Sequence, residues 1–480
     1  MVFFNFLNYF ITLGALGISL VFLGDMLVAF AFALVAIALF GFSFITKTHF
    51  NGFHPFSYAI FGLFLKLCIP ILLMMSWPNT PVDYNDVFLV SIFVILNVLF
   101  FTLGFLTPGS AVIAHAIPFA VFRHSNLDSV IKRLIFIYFL SVSFYVIGSF
   151  NGITHVPNAE IVESRFLSVM RDLMFFKTLA FICLAGSIFL RISRGKGNSL
   201  WFIFLLLLMF EVMLGLLEGG RSKIIEPVLL AFFVYSFVIS PIPLFVLFQM
   251  ACFALLFVAP ALTIYKTAVF KNLLGSYAID ANLVVSSIRD MDLSPGNLVY
   301  NMQDVLFHFS GMLEGTVRTL QKLPDYLDFH LGSTFFSYLT VGWIPRILWE
   351  DKPVFLPGRY FAVQIFDHQS DHTEVGVSMG IGVFAESFLN FGYAGLLIVA
   401  LFGFSLRVFY RRSLIYNEVE QQYVQLIRLF FLVFFVASGP QLTIGGYMIG
   451  GIRTWISYAV FLIVVSWSMP RLVSLRRPAE

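Results

Sequence analysis

Charge is what this sequence lacks. Only 11% of its 480 residues are Asp, Glu, Lys or Arg, where soluble domains carry roughly 25%. With 59% hydrophobic residues and a mean hydropathy of +0.92, the chain reads as a polytopic membrane protein. Cysteine is scarce too. Cys68, Cys183 and Cys252 all fall in apolar stretches without metal-type spacing, so small buried residues outside any disulfide are expected. A net charge of +3 gives no reason to expect a nucleic-acid partner. The first apolar stretch has no basic region before it and no small-residue cleavage site after it, so a retained span is expected. Apolar–polar alternation is missing, which argues against a strand barrel. There is no internal repeat and no low-complexity tract.

Apolar runs are what the chain has in quantity, with 61 phenylalanines suited to lipid-facing helices. A spanning helix needs about 20 apolar residues at ~1.5 Å each to cross ~30 Å of hydrocarbon. That rule places about twelve spans, near 4–23, 26–46, 57–77, 87–107, 134–152, 173–190, 199–217, 224–240, 242–264, 391–407, 423–438 and 454–470. The expected fold is all-α. It has an amino-terminal transmembrane bundle over 1–264, a large cap of short helices and loops over 265–390, and carboxy-terminal transmembrane helices over 391–480.

Basic residues in short loops set the orientation. With the amino terminus inside, the inner loops hold Lys47, Arg123, Lys132, Arg133, Arg191, Arg194, Lys196, Arg411 and Arg412, and the tail holds Arg471, Arg476 and Arg477. The outer connections at 24–25 and 78–86 carry no basic residue; Arg165, Arg171 and Arg453 argue weakly the other way. Both termini are therefore expected in the cytoplasm. The segment from 265 to about 390 then lies outside, with His308, His330, His368 and His372 among its polar residues. Loops beyond roughly 12–15 residues are mostly functional or disordered. The helix-like run "NLVYNMQDVLFHFSGMLEGTVRTLQKL" argues for a folded cap resting on the membrane.

Four stretches could carry chemistry. In "LEGGRSKIIEP", 217–227, Arg221 and Lys223 stand at the start of a helix behind Gly219 and Gly220. A helix amino terminus with nearby cations is a ready anion site, although a tight turn with basic residues reaching lipid headgroups explains the pattern equally well. "GWIPRILWEDKPVF", 342–355, crowds Arg346, Glu350, Asp351 and Lys352 around two prolines and two tryptophans, with Trp343 and Trp349 bracketing Arg346. It suits an interfacial elbow or a second cationic contact for an anionic substrate. "FDHQSDHTEVG", 366–376, spaces His368 and His372 four apart. With no cysteine nearby a metal site is not expected; the readings are a solvated loop or a base working near neutral pH. "GVFAESFLNFGYAG", 382–395, sets Glu386 and Asn390 on one face of a helix entering the membrane. A carboxylate at that depth is either paired or lines a wet cavity. Lys66, Lys177, Glu211 and Glu226 are further charges within or beside spans, isolated in the sequence.

"GGRSK" before a span, a long outer loop, "IPRILWEDKP" and then "AESFLNFGYAG" together resemble the bacterial oligosaccharide repeat-unit polymerases, the O-antigen polymerases of the Wzy type. The resemblance covers mainly 211–410, and the turn departs from the serine–arginine–glycine pattern of some members. It implies a glycosyltransferase of the bacterial inner membrane that joins undecaprenyl-diphosphate-linked repeat units at the periplasmic face. Arg221, Lys223, Lys352 and Asn390 would bind the diphosphate or substrate. Arg346 would stabilise charge on the departing phosphate, and Glu386 or His372 would serve as the base. The implied partners are the lipid-linked oligosaccharide, membrane lipid and a chain-length regulator protein, with no cofactor, no metal and no nucleic acid. The rivals are an O-antigen ligase, which would share donor and topology, and a flippase or other transporter. The latter usually shows related halves, and none is visible here.

Overall fold

The computed structural model describes residues 35, 37–39, 41–43, 45–48, 50–68, 70, 84–116, 119–121, 127–150, 165–193, 195, 199–218, 221–265, 286, 289, 294–337, 349, 357–367, 380–414, 422–436, 459–465 and 471–473. Expected spans 4–23 and most of 26–46 lie outside these residues, as do the later part of 57–77 and the ends of 454–470.

The described residues form helices joined by turns and short extended stretches, with two three-residue strands. In order, it forms α1 (Pro55–Leu63), α2 (Tyr84–Leu106), α3 (Ser110–Ala116), β1 (Phe119–Val121), α4 (Leu127–Phe150), α5 (Arg165–Ser193), α6 (Ser199–Glu218), α7 (Arg221–Val238) and α8 (Leu244–Phe253). After these come α9 (Pro295–Lys322), α10 (Ser333–Ser337), α11 (Pro357–Gln364), α12 (Gly382–Phe391), α13 (Gly395–Leu414), α14 (Gln422–Phe430), a helical stretch at 459–465, and β2 (Arg471–Val473). Wider π segments continue three of the helices, at Phe64–Cys68, Ala254–Val258 and Phe431–Val436. Four helical windows are long and apolar enough to cross a membrane: Phe88–Leu106, Phe176–Ser193, Ser199–Leu216 and Gly382–Leu414. These observations make the chain an all-α membrane protein.

Two helix groups build the bundle. α4 packs on α5, which also holds α6, α7 and α14. α2 lies along α13, with α3 and α12 on the same partner. The α2–α13 contact is backbone on backbone. A Cβ at Gly104 would run into the Ala400 carbonyl, and one at Gly403 into the Phe101 carbonyl. Small residues allow such approach in membrane helices, where apolar burial against lipid gives little drive and close packing must supply the attraction.

Two of these spans bury a charge pair between them. Lys177 of α5 donates to Glu211 of α6 at 2.6 Å, and the Tyr138 hydroxyl of α4 donates to the other carboxylate oxygen at 2.7 Å. The Lys177 ammonium also stands 4.5 Å from the centre of the Tyr145 ring. Read along the sequence Lys177 and Glu211 are isolated; in the fold they are one pair, because residues 34 positions apart meet where α5 and α6 pack.

Contacts also sort the loops. The 47–56 turn meets the end of α7, with Gly52 N–H donating to the Ile242 carbonyl and Ser236 to Asn51. The His54 ring lies 4.2 Å from Tyr410 and 6.0 Å from Phe105, and Arg407 donates to the Phe105 carbonyl. β1 pairs antiparallel with β2, Val121 opposite Arg471. Residues of the expected inner loops and tail thus gather at one end. At the other end of α2, Gln321 donates to Asp86, so the start of α2 meets the long helix at Pro295–Lys322.

Candidate functional site

α9 builds the frame of the cap. Ser294 and Pro295 open it, and over 28 residues it presents one apolar face. Met312, Leu313 and Val317 are buried along that face. It rests on the π segments at 64–68 and 254–258, on α2 and on α12. Gly315 permits the last contact, since a Cβ there would sit 2.8 Å from Ile381 Cγ2 and 3.2 Å from Phe366 Cζ. Gly382 opens α12 at φ +74°, a left-handed conformation that glycine adopts without steric cost, with Met312 packed against it.

α12 is buried from Gly382 to Asn390, and its polar residues are enclosed with the rest. Glu386 and Asn390 are each 0% exposed. The Glu386 carboxylate is thus enclosed between α12 and its neighbours in this arrangement. Asn390 fastens the turn that follows α9. Its amide donates to Thr334 Oγ1 at 2.8 Å and to the Glu386 carbonyl at 2.7 Å, while its Oδ1 accepts from Gly332 N–H at 3.0 Å. Backbone bonds from His330 to Leu389 and from Leu331 to Asn390 complete the clamp. Leu331, at φ 47°, and Gly332, at φ 90°, are the left-handed residues this turn needs. With both amide hydrogens committed inside the protein, Asn390 positions a cap turn in this arrangement.

The outer face of α9 carries cations. Arg318 donates to Glu314 at 2.9 Å and to Asp367 at 3.5 Å; Lys322 donates to Asp367 at 2.5 Å and to the Gln364 carbonyl at 3.0 Å. The Arg318 guanidinium also stands 5.6 Å over the Phe366 ring. Beside this network, His330 Nε2 and the Tyr360 hydroxyl lie 2.7 Å apart. Burial holds the His330 imidazole below its usual range, opposed in part by the Asp328 carboxylate, and burial raises the Tyr360 phenol. A neutral imidazole at neutral pH keeps one nitrogen able to accept a proton.

Arg221 and Lys223 fall in the first turn of α7, where the sequence expects an anion-binding helix start. α7 packs on α5, α6 and α14, while α12 packs on α13 and α9, so these two candidate elements belong to different parts of the bundle. Arg346, Lys352 and His372 lie outside the described residues. Of the 366–376 stretch, the structure describes Phe366 and Asp367, the latter as the acceptor for the α9 cations. Among the described residues, no three His, Cys, Asp or Glu side chains gather as a metal site would require.

Sequence reasoning passed over Arg318, Lys322 and the His330–Tyr360 pair. The spacing of Glu314, Arg318 and Lys322 at i, i+4, i+8 along a helix-like run was the available signal. Their partner Asp367, 45 residues beyond Lys322, was not visible from it. No protein-family model, curated protein or solved structure matches the chain.

Proposed function

We propose that the chain is a glycosyltransferase of the bacterial inner membrane that polymerises undecaprenyl-diphosphate-linked oligosaccharide units into O-antigen or a related surface polysaccharide at the periplasmic face. The motif order from Arg221 to Asn390 suggests the reaction. The observation that carries the reading furthest is Glu386, a carboxylate with no exposed surface where the cap meets a membrane helix. Enclosing such a group is expensive, and intramembrane ionisable residues are generally retained for function.

The chemistry needs few groups. An acceptor hydroxyl oxygen attacks the anomeric carbon of the donor chain. The bond from that carbon to the diphosphate oxygen breaks, and the diphosphate leaves with the electron pair. Arg346, Arg221, Lys223 and Lys352 are proposed to offset the growing phosphate charge. The hydroxyl proton passes to His372, or to Glu386 once α9 parts from α12 to admit the acceptor, and then to solvent. Asn390 contributes by holding the turn at 330–334 against the helix that carries Glu386.

The test is a surface-polysaccharide ladder from a deletion strain complemented with wild type, Glu386→Gln, Arg221→Ala or Arg346→Ala, at matched protein level. Polymerase activity predicts single repeat units on the surface lipid in the deletion strain and in each variant. Loss of every attached unit in the deletion strain would identify a ligase or flippase instead. A ladder unchanged by the deletion would overturn the assignment.

A further inference from the structure

A cavity of about 460 Å³ opens between α4, α5 and the helical stretch 459–465. Its walls are apolar: Ile137, Leu140 and Phe144 from α4, Phe176 from α5, and Val464. Arg133 stands at one end. Arg133, Ile137, Leu140 and Phe144 follow one another at i, i+4, i+7 and i+11, a single helix face. From Arg133 to Phe144 the helix rises about 16 Å, roughly half of a ~30 Å hydrocarbon layer. The groove therefore has the depth of one leaflet. It opens onto the apolar outer surface of the bundle, where Phe136 is 67% exposed and Leu140 45%.

The mouth is cationic. Arg133 donates through Nη1 to the Val465 carbonyl at 3.0 Å. A guanidinium carries five N–H donors, and among the described residues Arg133 has no carboxylate partner. Lys132 beside it is exposed. β1 ends six positions before α4 and β2 begins six positions after Val465, and the two strands pair antiparallel with Val121 opposite Arg471. The cap contacts α2 at its opposite end, through Asp86.

We propose that this groove binds an anionic phospholipid from the leaflet opposite the cap, one acyl chain lying along Ile137, Leu140 and Phe144 and the phosphate meeting Arg133. The surrounding bilayer supplies this ligand, and the charge of the mouth selects an anionic headgroup over a zwitterionic one. The site stands apart from the proposed glycosyl transfer, on different helices and at the other end of the bundle.

The full chain, placed in nanodiscs of phosphatidylcholine with a minor share of phosphatidylglycerol, tests it by native mass spectrometry of the retained lipids. Wild type is expected to retain phosphatidylglycerol above its share of the disc. Arg133→Ala is expected to weaken that preference about fivefold, and Arg133→Lys to keep most of it. Val464→Trp, which fills the groove and leaves the cation, is expected to lose the retained lipid as well, and this variant decides the matter should Arg133→Ala fail to fold. No preference in wild type, or a preference undiminished in Val464→Trp or in a folded Arg133→Ala protein, would overturn the proposal.

Discussion

Lys177 and Glu211 show how one residue can govern three helices. Their side chains are only 11% and 4% exposed, so each charge depends on the other. Removing one partner of a buried pair leaves an uncompensated charge and costs about 3–5 kcal/mol, whereas replacing both is often close to neutral. Lys177→Met should therefore lower the thermal unfolding midpoint of the detergent-solubilised protein markedly. Lys177→Met combined with Glu211→Gln, which still accepts from Tyr138, should recover most of the loss. His54 makes a pH-dependent contribution. Its Nδ1 accepts from Phe56 N–H at 3.2 Å at the start of α1, and burial holds the imidazole down to about 3. Because the unfolded chain takes up the proton near 6.5, this contribution is full above about pH 6.5 and is lost as pH falls from there toward 3. Unfolding midpoints measured across that window should fall less steeply for His54→Asn, which keeps an acceptor for the cap without the titration.

At the scale of elements, the contact between α2 and α13 is the most exacting in the described bundle. Gly104 and Gly403 face the backbone carbonyls of Ala400 and Phe101, and a backbone cannot rotate aside as a flexible side chain does. By contrast, a Cβ at Gly186 would meet the tip of Leu426, which can move. Gly104→Leu or Gly403→Leu should cost at least about 1–3 kcal/mol through overpacking, read as a lower unfolding midpoint. Gly186→Ala should cost clearly less. The corner between α12 and α13 follows the same rule, since a Cβ at Gly395 would strike the Ser387 carbonyl.

For the whole molecule, the contacts divide the chain into two ends. His54, Phe105, Arg407 and Tyr410 meet at one; Asp86, Gln321, His330 and Asn390 belong to the other. Single cysteines at Gln321 and at Thr107, introduced with the native cysteines replaced, should react with a membrane-impermeant thiol reagent from opposite sides of intact vesicles. Labelling from the same side would contradict the arrangement. Each expected span from 87–107 onward corresponds to described helix over all or part of its length, and the membrane class was legible throughout. The assembled site was much less so. Glu386 and Asn390 were legible as a helical pair at the membrane edge; that Asn390 is committed to Thr334 and Gly332 was not, because those partners lie 56 and 58 residues away.

By itself the sequence determined that this is a helical membrane protein, because the length of an apolar run and the shortage of charge are local properties that a hydrocarbon layer reads directly. Only the tertiary structure decided which charges neutralise each other, which glycines carry helix contacts, and that Glu386 is enclosed while Arg133 stands at the mouth of an apolar groove. Those outcomes depend on packing between segments tens to hundreds of residues apart, and no periodicity within either segment encodes the meeting.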